Sequence, residues 1–319
     1  MKRPYLHFKH LLPLVALAAL FIMVSAPDAR AQRRRKAAPV PASTKSLTVS
    51  TEAGAIVWLD EVRHGVTDAS GKLIIKNVTS GRHTLRVRAS GFKESIIQLA
   101  AARRGEIAVK LTRTTDQAEL TFQQAESARE KARDDEARKA AAALYARALE
   151  LRPRYPAARV GLARVLLDLN DYKGALEQID EARAARPVYP EASAVEGRIL
   201  RENADTNGAI EAFERAIREA RGFQPEAHTG LALALEDKGR NEEAVASFRK
   251  AIAQLSDTEP VLYQLLGALY EKMEKYKEAV AAYDKFLELA PESNLAPAVR
   301  SILDQLRRQA AEQEGASPN

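Results

Sequence analysis

Histidine is a common metal ligand and acid–base group, and this 319-residue chain carries five. His7 and His10 lie in an apolar N-terminal stretch, whereas His64, His83 and His228 stand alone along the rest of the chain. A zinc site needs three or four ligands at defined spacing. Because His64, His83 and His228 have no second histidine or carboxylate at such spacing, and His7 and His10 fall in the apolar N-terminal stretch, the sequence predicts no metal site.

Paired carboxylates are the next candidates for chemistry, as general acid and base. Glu242-Glu243 and Asp134-Asp135 fall at predicted polar helix starts or connections, where charged side chains are usually solvated. The chain has no cysteine, so a thiolate nucleophile, a thiolate metal site and a disulfide are excluded. It also lacks a P-loop, a GxGxxG and a GxSxG motif. We therefore predict a protein that is not an enzyme and binds no cofactor.

Arginine offers a different chemistry, the bidentate binding of carboxylates. Arg164 and Arg198 stand 34 residues apart. If the chain repeats with that period, their guanidinium groups lie side by side and are able to accept a carboxylate or an acidic segment. The alternative is that they pair with Asp168 and Glu202 on their own surface.

The elements that would position these arginines do repeat. A small residue recurs in the same helical context five times, at intervals of 34, 34, 35 and 35 residues. A period of about 34 residues is typical of stacked helical hairpins. The recurring residues are Ala141, Ala175, Ala209, Ala244 and Ala279.

Each repeat contains two amphipathic segments, since apolar residues recur at three- and four-residue spacing. Small residues in the first segment would let two helices cross closely, namely Ala163, Gly197, Ala232 and Gly267. Aromatic residues in the second segment would fill the gap between hairpins, namely Tyr145, Phe213, Phe248 and Tyr283. Over residues 119–291 the pattern resembles the tetratricopeptide repeat. The resemblance implies an all-α solenoid that holds an extended peptide or protein on a concave face.

In that family the first helices of the hairpins line the concave groove. Carried over to this chain, the resemblance implies a partner-binding groove formed by Val160, Arg164, Leu167, Asp168, Arg198, Arg201, Glu236, Asp237 and Glu271. The lysine and asparagine pattern of a clamp for a chaperone's terminal carboxylate is absent.

The repeats depart from the family pattern in two places. The helix-ending proline is missing after the third and fourth units, where we expect Pro225 and Pro260 to end the helices instead. The first unit lacks the small crossing residue near Phe122, and we expect it to have a longer connection at residues 133–136. We place the solenoid at residues 116–292. A capping helix over residues 295–309 and a tail complete the C-terminal segment, 293–319.

A second domain, at residues 47–114, shows short apolar runs separated by glycines. Six strands are expected, around residues 47–49, 56–59, 73–78, 85–89, 96–97 and 107–109, which indicates a small β-sandwich. The stretches Val49–Asp60, Ser80–Val87 and Ser90–Phe92 resemble a PEGA domain. Through residues 68–72 the region resembles a carboxypeptidase regulatory-like sandwich almost as closely. Both families are accessory β-domains of exported proteins. The fold class predicted is thus multi-domain, an all-β sandwich followed by an all-α tetratricopeptide-repeat solenoid.

The N-terminus has the pattern of a secretory signal peptide at residues 1–31, with a basic start, an apolar run and a small-residue cleavage site. An uncleaved membrane anchor is the alternative. A basic Pro/Ala-rich linker at residues 32–46 follows. Export to the periplasm or cell surface is therefore expected.

Charge divides the chain unevenly. Residues 45–114 contain twelve basic and six acidic residues, whereas residues 115–319 contain 29 basic and 36 acidic residues. Two functions remain open. One is an exported scaffold whose solenoid docks a protein or extended peptide in the cell envelope. The other is surface adhesion, in which the basic β-domain contacts cell-wall glycan or anionic membrane and the repeats act as a spacer. No nucleic-acid partner is expected.

Overall fold

The computed structural model describes residues 45–60, 62–78, 81–255 and 257–315. The predicted signal peptide and linker residues 32–44 lie outside the described residues. The strands are β1 Lys45–Ser50, β2 Ile56–Leu59, β3 Val62–Val66, β4 Lys72–Val78, β5 His83–Arg88, β6 Ser95–Leu99 and β7 Gly105–Ala108. The helices are α1 Gln117–Lys131, α2 Asp135–Leu151, α3 Pro156–Asp168, α4 Tyr172–Ala185, α5 Pro190–Glu202, α6 Thr206–Glu219, α7 Pro225–Asp237, α8 Asn241–Leu255, α9 Val261–Lys272, α10 Tyr276–Leu289 and α11 Ala296–Gly315.

The strands form two sheets, with the orders β4-β1-β7 and β3-β2-β5-β6. In the first sheet β1 runs antiparallel to β4 and parallel to β7, and the second sheet is antiparallel throughout. Buried side chains from both sheets meet in one core, including Leu47, Val49, Val57, Ile75, Leu85 and Val87. The predicted sandwich is confirmed. Strand β3 was not predicted, because its sequence VRHGV lacks the apolar alternation of its neighbours.

The turn before β4 depends on one aspartate and one glycine. Asp68 Oδ1 accepts hydrogen bonds from the backbone N–H groups of Lys72 at 2.9 Å and Ser70 at 2.8 Å, which lower the pKa of Asp68. Gly71 has a φ of +77°, and a Cβ atom there would lie 2.0 Å from the carbonyl oxygen of Thr51. Only glycine therefore fits this turn.

Helices α1 to α10 pair as five consecutive hairpins, and three residues join the two helices of each. The longer first connection that we expected is wrong, since residues 132–134 match the other connections in length. The first hairpin differs instead in α2, which has 17 residues where the other second helices have 14 or 15.

The connections of the last four hairpins share one backbone device, which the first connection lacks. Their middle residues Asn170, Ala204, Gly239 and Glu274 have φ values of 62°, 63°, 72° and 57°. A left-handed residue just past a helix end lets the chain reverse and satisfies carbonyl groups of the last turn. In the second and third hairpins, Asp171 and Asp205 then cap the next helix by accepting from the N–H groups of Gly174 and Gly208.

The prolines have a different role from the one expected. Pro156, Pro190 and Pro225 are the first residues of α3, α5 and α7. Proline is tolerated at this position because the N–H of the first residue makes no hydrogen bond within the helix. Helix α6 already ends at Glu219, and Arg221 turns the chain with a φ of 55°. The prediction that Pro225 ends that helix is wrong, and Pro260 likewise directly precedes α9.

The aromatic side chains of the second helices are buried between hairpins, as predicted. A Cβ atom on Gly197 of α5 would lie 2.7 Å from the Phe213 ring, and one on Gly230 of α7 would lie 2.2 Å from the same ring. Phe213 therefore packs against the first helix of its own hairpin and the first helix of the next. Both helices need a glycine there.

Helix α11 covers the last hairpin. Its residues Val299, Leu303 and Leu306 are buried against Tyr283 and Phe286. The predicted capping helix is present and continues to Gly315. In the part of the chain that the structure describes, no helix has the length and apolar character needed to cross a bilayer.

Candidate functional site

Helices α3, α5, α7 and α9 form one layer, and ion pairs connect them across one face. Arg164 of α3 contacts Glu191 of α5 at 3.3 Å, but it also reaches Glu226 of α7 at 3.0 Å, beyond the intervening helix. A side chain spans two repeats only on the side toward which the layer curves. This face is therefore the concave one.

Further pairs extend the row along the same face. Arg198 of α5 lies 3.6 Å from the Glu226 carboxylate that Arg164 binds. Arg201 donates to Asp237 of α7 at 2.7 Å, and Lys272 of α9 donates to Glu236 at 3.3 Å. The structure thus brings Arg164 and Arg198 together through a shared carboxylate.

The pair at the centre of this row is well shielded, with the Arg164 side chain 17% exposed. Burial opposes charge on Glu226, yet the guanidinium groups of Arg164 and Arg198 hold the pKa of Glu226 below its usual range. The partners differ from the expected Asp168 and Glu202, because the arginines reach forward to the next repeats. Glu202 contacts Arg201 instead, at 3.4 Å.

Three of the predicted groove residues do not line an open groove. Val160 and Leu167 are 1% and 5% exposed and belong to the apolar core between hairpins. Their prediction as groove residues is wrong, because α3 is nearly surrounded by its neighbours. Glu271 points toward the second helix of its hairpin and accepts a hydrogen bond from Tyr283 Oη at 3.1 Å. Asp168 is exposed at the end of α3.

The β-sandwich is fastened to the first helix of the solenoid. Gln123 of α1 accepts a hydrogen bond from the N–H of Gly91 at 2.9 Å and donates to the carbonyl of Phe92 at 2.8 Å. Arg88 of β5 pairs with Glu126 of α1 at 3.3 Å and stacks over the Phe122 ring at 5.0 Å. The sequence carried no sign of these contacts, since isolated polar residues on two elements do not reveal that they meet.

Strand β3 also reaches the solenoid. Arg63 pairs with Glu130 of α1 at 3.0 Å, and it lines, with Val62, a cleft of about 530 Å³ against α5, α7 and α9. Apolar side chains of the cleft include Val62, Leu233, Leu255, Val261 and Leu262, and charged ones include Arg63, Arg198, Arg201, Glu202, Glu226 and Glu259.

Three tetratricopeptide-repeat family models match the chain, over residues 132–199, 195–260 and 260–293. The helical half of the chain belongs to the tetratricopeptide repeat family. None of these matches reaches the β-sandwich, so its likeness to PEGA or carboxypeptidase regulatory-like domains stays a prediction.

Solved structures agree on the tetratricopeptide fold. A thermophilic TPR protein of Thermus thermophilus is 24% identical with a TM-score of 0.50, and the match covers 59% of this chain and 98% of that one. PilW, described as a widely conserved type IV pilus biogenesis factor, is 14% identical over 64% of this chain and 96% of its own, with a TM-score of 0.52. PilF of Pseudomonas aeruginosa is 18% identical over 61% of this chain and 87% of its own, with a TM-score of 0.51. No curated protein sequence matches the chain.

Tetratricopeptide repeats are protein-interaction modules, and the concave face of this chain is not uniform along its length. At one end its arginines and carboxylates neutralise each other. At the other end, the cleft leaves apolar groups in contact with solvent. Among the described residues, no cluster of three or more His, Asp or Glu side chains is placed to hold a metal ion.

Proposed function

We propose that the protein is an exported scaffold, without catalytic activity, whose concave tetratricopeptide face docks an extended segment of a partner protein in the cell envelope. The cleft between β3 and helices α5, α7 and α9 is the docking site. The signal-peptide pattern at residues 1–31 supports export, with an uncleaved anchor as the alternative.

The observation that carries the proposal is the apolar lining of this cleft. Val261 at the start of α9 is 41% exposed, and Leu233 and Leu255 are half-buried beside it. Apolar side chains gathered in a concave site, with charged groups around them, are typical of surfaces that bind a partner. The cleft's volume of about 530 Å³ accommodates a few side chains of a peptide.

Site-specific photo-crosslinking tests the docking site. The full chain carries a photoreactive amino acid in place of Leu233, inside the cleft, and is irradiated in the cells that produce it. We expect a discrete crosslinked product whose partner is identified by mass spectrometry. The matched control carries the same amino acid in place of Glu211, an exposed residue of the second helix α6, and should yield no such product.

Equal products from both positions would contradict docking in the cleft. Export is tested separately, by fractionating the same cells and sequencing the N-terminus of the protein. A mature chain that begins at Gln32 supports cleavage, and a full-length chain in the membrane fraction supports the anchor.

Contact between the β-sandwich and glycan or anionic membrane stays a prediction. The sandwich's only tryptophan is a poor candidate for stacking on a sugar, because the guanidinium group of Arg86 lies 4.2 Å from the centre of the Trp58 ring. If adhesion, rather than docking, is the function, the natural chain and the variant with the photoreactive amino acid at Leu233 should sediment equally with anionic vesicles.

A further inference from the structure

The β-sandwich forms part of the docking cleft. Val62 and Arg63 of β3 line it opposite Leu233 of α7 and Val261 of α9. Successive residues of a strand point to opposite faces of the sheet. Because the cleft contacts both Val62 and Arg63, it meets β3 along the edge of the strand. Since β3 is the outer strand of its sheet, that edge has no neighbouring strand in the sheet order. Such an edge is suited to an extended peptide.

The charged side chains around the cleft favour a partner of one charge sign. Arg63 is paired with Glu130, Arg198 with Glu226, and Arg201 with Asp237 and Glu202. The basic groups are thus already matched by carboxylates of the solenoid. Glu259 lines the cleft, is exposed, and has no ion-pair partner in the described part of the chain.

The ends of the neighbouring first helices add to this negative charge. Asp168, Glu202 and Asp237 are exposed at equivalent positions, one at the end of each of α3, α5 and α7. Helix C-termini carry partial negative charge of their own. Helix α9 ends instead in Lys272, which pairs with Glu236, and Arg201 is shared between Glu202 and Asp237, so acidic side chains outnumber basic ones along this rim.

We propose that the cleft binds an extended basic segment, in which an apolar side chain enters the pocket at Leu233 and Val261 while lysine or arginine side chains meet the carboxylates of the rim. This inference rests on the proposed docking function and reverses the sequence-based expectation of an acidic ligand. Leu233 is the apolar anchor, and Glu202 and Glu259 set the preference for positive charge.

Fluorescence anisotropy with two labelled peptides tests the inference on the full chain. Each peptide has about 12 residues, which span about 40 Å when extended, and alternates leucine with either lysine or glutamate. We expect the lysine peptide to bind at least about tenfold more tightly than the glutamate peptide. Added salt should weaken its binding, because exposed charges are screened.

Three variants locate the binding. Glu202→Gln/Glu259→Gln should weaken the lysine peptide about fivefold to tenfold, whereas Asp180→Asn/Glu211→Gln, the same charge change at exposed positions of α4 and α6, should leave it within about twofold. Leu233→Ala should weaken it about tenfold. Circular dichroism and thermal unfolding of each variant establish that it is folded.

The outcomes separate this inference from the docking function. If the glutamate peptide binds more tightly and Leu233→Ala weakens it, the cleft is a docking site but its preference for basic segments is wrong. If the two carboxylate double variants weaken the lysine peptide equally, binding follows net charge and the inference is overturned. If neither peptide responds to Leu233→Ala, both the inference and docking at this cleft are overturned.

Discussion

The two ends of the concave face use equivalent repeat positions in opposite ways. At the end formed by α3, α5 and the start of α7, Arg164 is shielded and binds two carboxylates, so the surface is closed by its own ion pairs. Toward α7 and α9 the positions equivalent to Arg164 hold Leu233 and Ala268, and a cleft remains, bordered on its other side by Arg198 and Glu226 of the closed end. A repeated helix geometry therefore does not make a uniform binding surface. The side chains at each repeat position decide whether that part of the surface is covered by ion pairs within the chain.

The largest expected effect is the loss of the carboxylate at the centre of the closed end. Glu226→Ala should lower the free energy of unfolding by about 2 kcal/mol, because Arg164 and Arg198 then face each other without their shared partner. Glu236→Ala, which removes only an exposed pair with Lys272, should change it by less than about 0.5 kcal/mol. Urea unfolding followed by circular dichroism measures both. Equal losses would show that the two ends do not differ in this way.

The sandwich is fastened to α1, the helix next to the closed end. Gln123→Ala removes two hydrogen bonds to the sandwich and should weaken the junction by about 1 to 2 kcal/mol. Fluorescence of Trp58, the only tryptophan, reports on the sandwich, while far-ultraviolet circular dichroism is dominated by the helices.

We expect the two thermal transitions to coincide in the natural protein and to separate in the variant, with the sandwich unfolding first. The matched control is Gln98→Ala, since Gln98 bonds only within the sandwich, to Thr84. Coincident transitions in Gln123→Ala would show that the junction does not couple the domains.

Acid should weaken the closed end selectively. Glu226 has a pKa below its usual value of 4.5 in the folded chain, held there against burial by Arg164. The stabilisation is therefore complete above about pH 4.5 and is lost as the pH falls through the lower folded-state pKa. Unfolding between neutral pH and about pH 3 should show a smaller acid-induced loss in Glu226→Gln than in the natural protein. An equal loss would assign the acid sensitivity to other carboxylates.

The smallest effects concern the hairpin connections. We expect glycine to be favoured at their left-handed middle residue at both ends of the concave face. Ala204→Gly should stabilise the chain by up to about 1 kcal/mol, because alanine is strained at a φ of 63°. Gly239→Ala should destabilise it by a similar amount, since Gly239 has a φ of 72°. Thermal unfolding measures both. Changes of the same sign would contradict a shared turn geometry.

Local sequence rules were sufficient for the repeats. The alanine period, the small crossing residue Gly197 and the aromatic Phe213 predicted the hairpins, because each depends on contacts at fixed sequence spacing. The same rules failed where a residue reaches beyond its own unit. Gly230, which gives room to the ring of the preceding hairpin, was overlooked for that reason.

The candidate site was harder to predict. Family positions located Arg164 and Arg198 on the concave face, but their partner Glu226 lies up to 62 residues away. The contribution of β3 depends on how the sandwich docks through Gln123, and sequence spacing contains no information about that. The charge of the groove, which decides its ligand, therefore became apparent only once the ion pairs were known.

The most direct test of the account is to map a bound peptide on the concave face. The lysine–leucine peptide, carrying a spin label, should broaden amide resonances of α7 and α9 around Leu233 and Val261, together with those of Val62 and Arg63 in β3. Resonances around Arg164 should be broadened less than those around Leu233 and Val261, since that end is closed by its own ion pairs. Broadening centred on Arg164, or on the second helices α4 and α6, would contradict the division of the face into a closed end and a docking end.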